Sequence, residues 1–233
     1  MTTTAAPSRA RTARRTTVAL KVAMAVTGVI FVLFVLSHMY GNLKMFQGAE
    51  AFDGYAHWLR EAFYPILPHQ GLLWLMRVAL LASLVVHAGA AFALWKRARG
   101  ARTTRYVKKR SLQQTYASRT MRWGGVIILA FVVFHILQFT TMTIEVGGSF
   151  DSPYQRMVEA FQPAHWWVYA IYLVAMVLLA LHVRHGVWSA LQTFGLSTKR
   201  REAAFNGIAI VVALLLLVGF MATPTAILLG IVN

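Results

Sequence analysis

Residues 165–191 read HWWVYAIYLVAMVLLALHVRHGVWSAL, and this stretch decides the fold. A helix that crosses a bilayer needs about 20 consecutive, mostly apolar residues. The run from His165 to Leu191 exceeds that length and still carries His182 and His185 inside it. Ionisable side chains within a membrane span are rare, and they face the protein interior or a pathway rather than lipid. The stretch therefore predicts a membrane helix with chemistry built into it.

Working outward, the pattern recurs over Val18–Tyr40, Gly71–Trp95, Arg122–Ile144 and Phe205–Leu229. The expectation is an all-α membrane protein of five spans. Residues 1–17, rich in Thr, Ala and Arg, read as a basic flexible tail, and residues 18–233 as a single transmembrane domain. The first apolar run follows Arg9, Arg11, Arg14 and Arg15 as in a signal peptide. It is longer than a signal peptide's apolar region and lacks a small-residue cleavage site, so it reads as a span that stays.

The composition agrees. Of 233 residues, 58% are hydrophobic and 13% charged, yet the formal net charge is +16. Soluble domains carry about 25% charged residues. A basic nucleic-acid binder would account for a pI of 11.1, but not for a mean hydropathy of +0.57, so nucleic acid is not an expected partner. The chain has no cysteine. That excludes disulfides, iron–sulfur clusters held by this chain and covalently attached c-type haem.

Lys and Arg bias predicts the orientation. With the N-terminus inside, 19 of the 23 basic residues fall on the inner side, while six of the seven acids fall outside. The balance is +18 within against −2 without. Ordinary topology signalling and attraction to anionic lipid account for such a face; so does a docking surface, with Arg105–Arg110 (RYVKKR) as its densest run.

His57, His69 and His165 fall in outer loops or at the interface, whereas His38, His87, His135, His182 and His185 lie within spans one to four. Each helical residue rises 1.5 Å. His135, 13 residues past Arg122, is then about 20 Å from the inner start of span three, and His38 is near the outer end of span one. His87 and His182 each lie roughly 25 Å from the outer start of their spans. Two pairs emerge at two depths, His38 with His135 in the outer half and His87 with His182 further in. Facing imidazoles from different helices suit the two axial positions of a b-type haem, a low-spin centre for electron transfer. Zinc is the metal alternative, and two imidazoles without a carboxylate or thiolate nearby serve it poorly. His185, three residues after His182 and nearly on the same helix face, is an alternative ligand.

Three segments carry a resemblance: HMYGNLKMFQG (38–48), YAHWLR (55–60) and LHVRHGVWSALQTFGL (181–196). Together they resemble the cytochrome b anchor subunit of succinate dehydrogenase, in its five-span dihaem b558 form that works with menaquinone. Related fumarate reductase anchors share the plan. The resemblance implies a four-helix dihaem bundle with a fifth helix beside it, His38 and His135 on the outer haem b, and His87 and His182 on the inner one. His182 is favoured because the family ligand precedes a glycine by four residues, here Gly186. It implies flavoprotein and iron–sulfur subunits docked on the basic cytoplasmic face, menaquinone as the electron acceptor, and the bacterial cytoplasmic membrane as the location. It leaves room for a higher oligomer of the whole complex.

The resemblance also makes Glu61 a candidate for quinone protonation, by its spacing from His38. Ala180 stands where some fumarate reductase anchors carry a proton-conducting glutamate, which argues against that pathway here. Two other readings remain beside this one. One is a haem b subunit of another quinone-linked respiratory enzyme. The other is a haem-free membrane anchor or small transporter whose histidines make interhelical hydrogen bonds.

Overall fold

The structure, a computed structural model, describes residues 9–100 and 114–233. Among the described residues the regular structure is entirely helical. Five long helices, α1 (Arg9–Leu43), α3 (Gly71–Gly100), α4 (Gln114–Phe139), α6 (Trp166–Thr193) and α7 (Glu202–Leu228), run up and down. Two short ones, α2 (Ala49–Glu61) and α5 (Pro153–Ala160), lie in connections at one end. All five long helices are long and apolar enough to cross a membrane. Their apolar residues occupy every face, as they must where lipid rather than water surrounds a helix. Leu33, Val85, Val133 and Val218 accordingly point outward from the protein.

The helix bounds depart from the hydropathy reading, α3 running on to Gly100 and α4 beginning at Gln114, and two further departures bear on the fold. Helix α1 reaches back to Arg9, so the first apolar run sits inside a longer helix with a basic first turn; residues 1–8 lie outside the described residues. Helix α4 stops at Phe139 rather than near Ile144. There the amides of Thr140 and Thr141 both return to Ile136 O, and those of Thr143 and Ile144 to Leu137 O. With Met142 at positive φ, the chain turns out of the bundle before its apolar residues run out.

The long helices pack in the order α3, α1, α6, α4, with α7 laid against both α1 and α6. Helices α3 and α6, and likewise α1 and α4, form no substantial interface of their own. At Gly219 helix α7 approaches α1 so closely that a Cβ there would strike Met39 Sδ. Thr223 Oγ1, fully buried, adds a hydrogen bond to Asn42 O (3.2 Å).

The end that carries α2 and α5 is the better packed one. Gly48, at φ +90°, turns the chain from α1 into α2. A core of Met45, Val158, Phe161, Val168 and Ile227 then fills the space beneath the two short helices. Asp53 on α2 ties them together, accepting from Ser152 Oγ (2.5 Å) and from the Tyr154 amide (2.9 Å) at the first turn of α5. The opposite end carries Arg97, Arg99, Arg122, Arg184, Lys199, Arg200 and Arg201. The Arg105–Arg110 run lies outside the described residues.

Candidate functional site

Four histidines from four long helices meet in two pairs. His38 on α1 and His135 on α4 have ring centroids 5.8 Å apart, with planes at 80°. His87 on α3 and His182 on α6 are 6.2 Å apart, with planes at 48°. The first pair lies near the capped end and the second in the basic half. Each pair bridges two helices whose backbones stand apart, so the imidazoles, not the helix surfaces, make the approach. His185 lies one turn on, and its ring neighbour is Trp188 (6.1 Å).

A metal–imidazole bond is about 2 Å long, so two imidazoles on opposite sides of one ion have ring centres roughly 6 Å apart. Both pairs have that spacing. The donor set narrows the ion further. Among the described residues, no group of three or more His, Cys, Asp or Glu side chains could hold a bare metal. Two neutral imidazoles suit an ion whose other positions are filled by a macrocycle.

Hydrogen bonds orient the rings. Thr27 Oγ1 donates to Ala23 O (2.8 Å) and lies 3.1 Å from His87 Nδ1. Its one proton being committed to the carbonyl, the hydroxyl accepts from Nδ1–H. At the other pair, Tyr172 Oη donates to Gln138 Oε1 (3.0 Å) and lies 2.9 Å from His135 Nδ1. Again the ring nitrogen is the donor. In both rings the proton sits on Nδ1 and the lone pair on Nε2, the arrangement that partners of metal-bound histidines impose. His182 Nδ1 is buried with no hydrogen-bond partner among the described residues. Buried polar nitrogens are normally satisfied, so this ring has an unmet polar demand within the pair.

The surroundings favour a flat apolar group. Phe34 stacks on His38 (5.5 Å, 11°) and Phe131 on His135 (5.8 Å, 28°). Phe220 and Phe139 complete the aromatic wall of this pair. Around the other pair, neighbouring helices withdraw their side chains. A Cβ at Gly28 would stand 3.6 Å from His87 Cε1, and one at Gly125 would stand 3.9 Å from His182 Cε1. The two pairs thus fit bis-imidazole haem ligation in ring spacing, and His87 and His135 fit it in tautomer as well.

Glu61 ends α2 and is held by His69, whose Nδ1 is 2.6 Å from its carboxylate. It belongs to the cap rather than to either imidazole pair. Arg77 and Arg122 lie over the faces of Trp74 and Trp95, at 5.0 and 5.8 Å.

Sequence reasoning missed Thr27, Tyr172 and Gln138. Gln138 carried a readable signal, being a polar side chain one turn after His135 inside an apolar run. Thr27 and Tyr172 carried none, because their partners lie on other helices. Comparison with protein-family models, with curated proteins and with solved structures finds no match to this chain.

Proposed function

We propose that the chain is the cytochrome b anchor subunit of a succinate:menaquinone oxidoreductase, the respiratory complex II of a bacterial cytoplasmic membrane. The observation that carries this reading is the meeting of four histidines, one from each of four membrane helices, as two imidazole pairs at two depths. His87 and His182 would hold the inner haem b, and His38 and His135 the outer one. When bound, the haems would supply one-electron transfer between the iron–sulfur centres of a partner and a membrane quinone. Thr27 and Tyr172 fix the tautomer and plane of one ligand in each pair, and the phenylalanines exclude water from the outer pair.

With the N-terminus inside, the Lys- and Arg-rich face meets the cytoplasm and docks the iron–sulfur and flavoprotein subunits, which oxidise succinate. This chain supplies the membrane arm of the enzyme, not the succinate chemistry. Menaquinone is reduced at the capped, outer end, where each molecule takes up two electrons and two protons. Glu61, within reach of water and paired with His69, is the acid suited to exchange those protons.

A dithionite-minus-air difference spectrum of the purified complex tests the reading. It is expected to show b-type α-bands and two haems per chain. Replacing His87 or His182 with Ala is expected to remove one of the two haems and leave the other in place. A spectrum without an α-band, or full haem content in both variants, overturns it.

A further inference from the structure

The two supported imidazoles are held by different devices. Thr27 spends its hydroxyl proton on a carbonyl of its own helix, and a carbonyl can only accept. The support of His87 therefore works in one direction. The support of His135 does not. Tyr172 Oη lies 2.9 Å from His135 Nδ1 and 3.0 Å from Gln138 Oε1, and a phenol both donates and accepts. Tyr172 is buried, and its ring is wedged edge to face between Phe131 and Phe161, at 4.9 and 5.0 Å. What can turn is the hydroxyl proton, toward Gln138 or toward His135.

Gln138 distinguishes the two directions. With its amide oxygen toward Tyr172, the hydroxyl donates to Gln138, accepts from Nδ1–H and leaves the Nε2 lone pair of His135 free. With the amide reversed, its N–H₂ would donate to Tyr172, the hydroxyl would donate to Nδ1, and the ring proton would move to Nε2. Amide direction and ring tautomer are thus one choice. The structure shows the first arrangement. It leaves the amide Nε2, on a side chain only 5% exposed, without a hydrogen-bond partner among the described residues. Buried amide hydrogens need an acceptor. Gln138 lines a cleft between the last turn of α4, the following loop and α5. The cleft's volume, about 20 Å³, is room for one water. Glu145, Ser149 and Arg156 on its walls offer further partners for the roughly three hydrogen bonds that a buried water makes.

We propose that this cleft binds a single ordered water, which accepts from Gln138 Nε2, and that Gln138, so anchored, is a positioning residue that acts on His135 through Tyr172. The water is the far end of a relay, Gln138 to Tyr172 to His135, that runs from the cap to the outer imidazole pair. The relay keeps the Tyr172 hydroxyl turned away from Nδ1 and the Nε2 lone pair available. Thr27 gives His87 no such link, so a change at the cap reaches one pair only. The tautomer rests on these hydrogen bonds alone, and its consequence for haem retention rests on the cytochrome reading.

The test begins with nuclear magnetic resonance of the full-length chain, expressed without haem, in nanodiscs, with nitrogen-labelled His and Gln. In the unaltered chain the ring proton of His135 is expected on Nδ1, and the Gln138 side-chain amide is expected to show a cross-peak to water. In Gln138→Leu the ring proton is expected on Nε2, because the Tyr172 hydroxyl is left with Nδ1 as its acceptor. A His135 proton on Nε2 in the unaltered chain, no water cross-peak, or an unmoved proton in Gln138→Leu would each overturn the proposal, and the first two need no variant to fold. In the haem-loaded chain, Gln138→Leu is expected to speed haem transfer from the His38–His135 pair to an apo-acceptor by about 10–100-fold and to leave the other pair unaffected. Adding Tyr172→Phe removes the misdirected hydroxyl and is expected to slow the transfer again. Equal rates in the single and double variants would mean a packing role for Gln138 and overturn the relay. A tautomer that switches as expected in a chain that takes up no haem would support the relay and overturn the cytochrome reading, so the two stand or fall separately.

Discussion

At the scale of single residues, the decisive feature is that hydroxyls orient two of the four imidazoles. Thr27 is buried within α1, and its hydroxyl links its own helix carbonyl to a ring on α3. Thr27→Val keeps the shape and removes the acceptor. Loss of such a supporting partner typically costs about 10–100-fold in metal-site affinity. On the proposed cytochrome reading, haem transfer from the purified protein to an apo-acceptor is therefore expected to speed up at the His87–His182 pair alone, and Thr27→Ser is expected to restore retention. Equal retention in Thr27→Val would show that the hydroxyl does not govern the site. The four histidines could be paired from the sequence because rise per residue converts position into depth. Their supports could not, since the partner of a Thr or Tyr across a bundle depends on helix rotation, which periodicity leaves undefined when every face is apolar.

At the scale of elements, the spans were legible for the same reason that their ends were not. Length and hydropathy reveal a stretch that lipid will accept, and all five such stretches are helices. Where each helix stops depends on local hydrogen bonding, as the Thr140–Ile144 turn shows. The short helices α2 and α5 escaped notice because each has one apolar face and a polar remainder, which resembles a loop by composition. Helix α7 contributes no histidine, yet it buttresses both α1 and α6. At Gly219 it lies against Met39, the residue after His38. Gly219→Leu overpacks that contact, at a cost of about 1–3 kcal/mol. Thermal denaturation in detergent is expected at lower temperature, with the absorbance of the His38–His135 centre altered and that of the other pair preserved. An unchanged melting profile and spectrum would mean that α7 adjusts freely and does not brace the outer pair.

At the scale of the whole molecule, charge and the depths of the two imidazole pairs define one axis. By sequence position, nearly all basic residues fall in the segments that join or flank the helices at one end, and all but one of the acids in those at the other. Positive loops are retained in the cytoplasm, so in the orientation we propose the basic end faces inward and the α2–α5 cap outward. This places the His87–His182 pair nearer the cytoplasm and the His38–His135 pair nearer the exterior. An electron moving outward along that axis is driven by an inside-negative potential, about 2.3 kcal/mol per 100 mV for a full crossing. The orientation can be measured directly, because a chain without cysteine accepts single reporter thiols against no background. Ser149→Cys, in the loop between α4 and α5, is expected to react with a membrane-impermeant maleimide in intact cells. Ser111→Cys, in the basic connection between α3 and α4, is expected to react only after the membrane is opened. The reverse pattern would invert the axis. The partner subunits would then dock beside the pair now assigned to the outer half, and the membrane potential would oppose electron flow to the quinone.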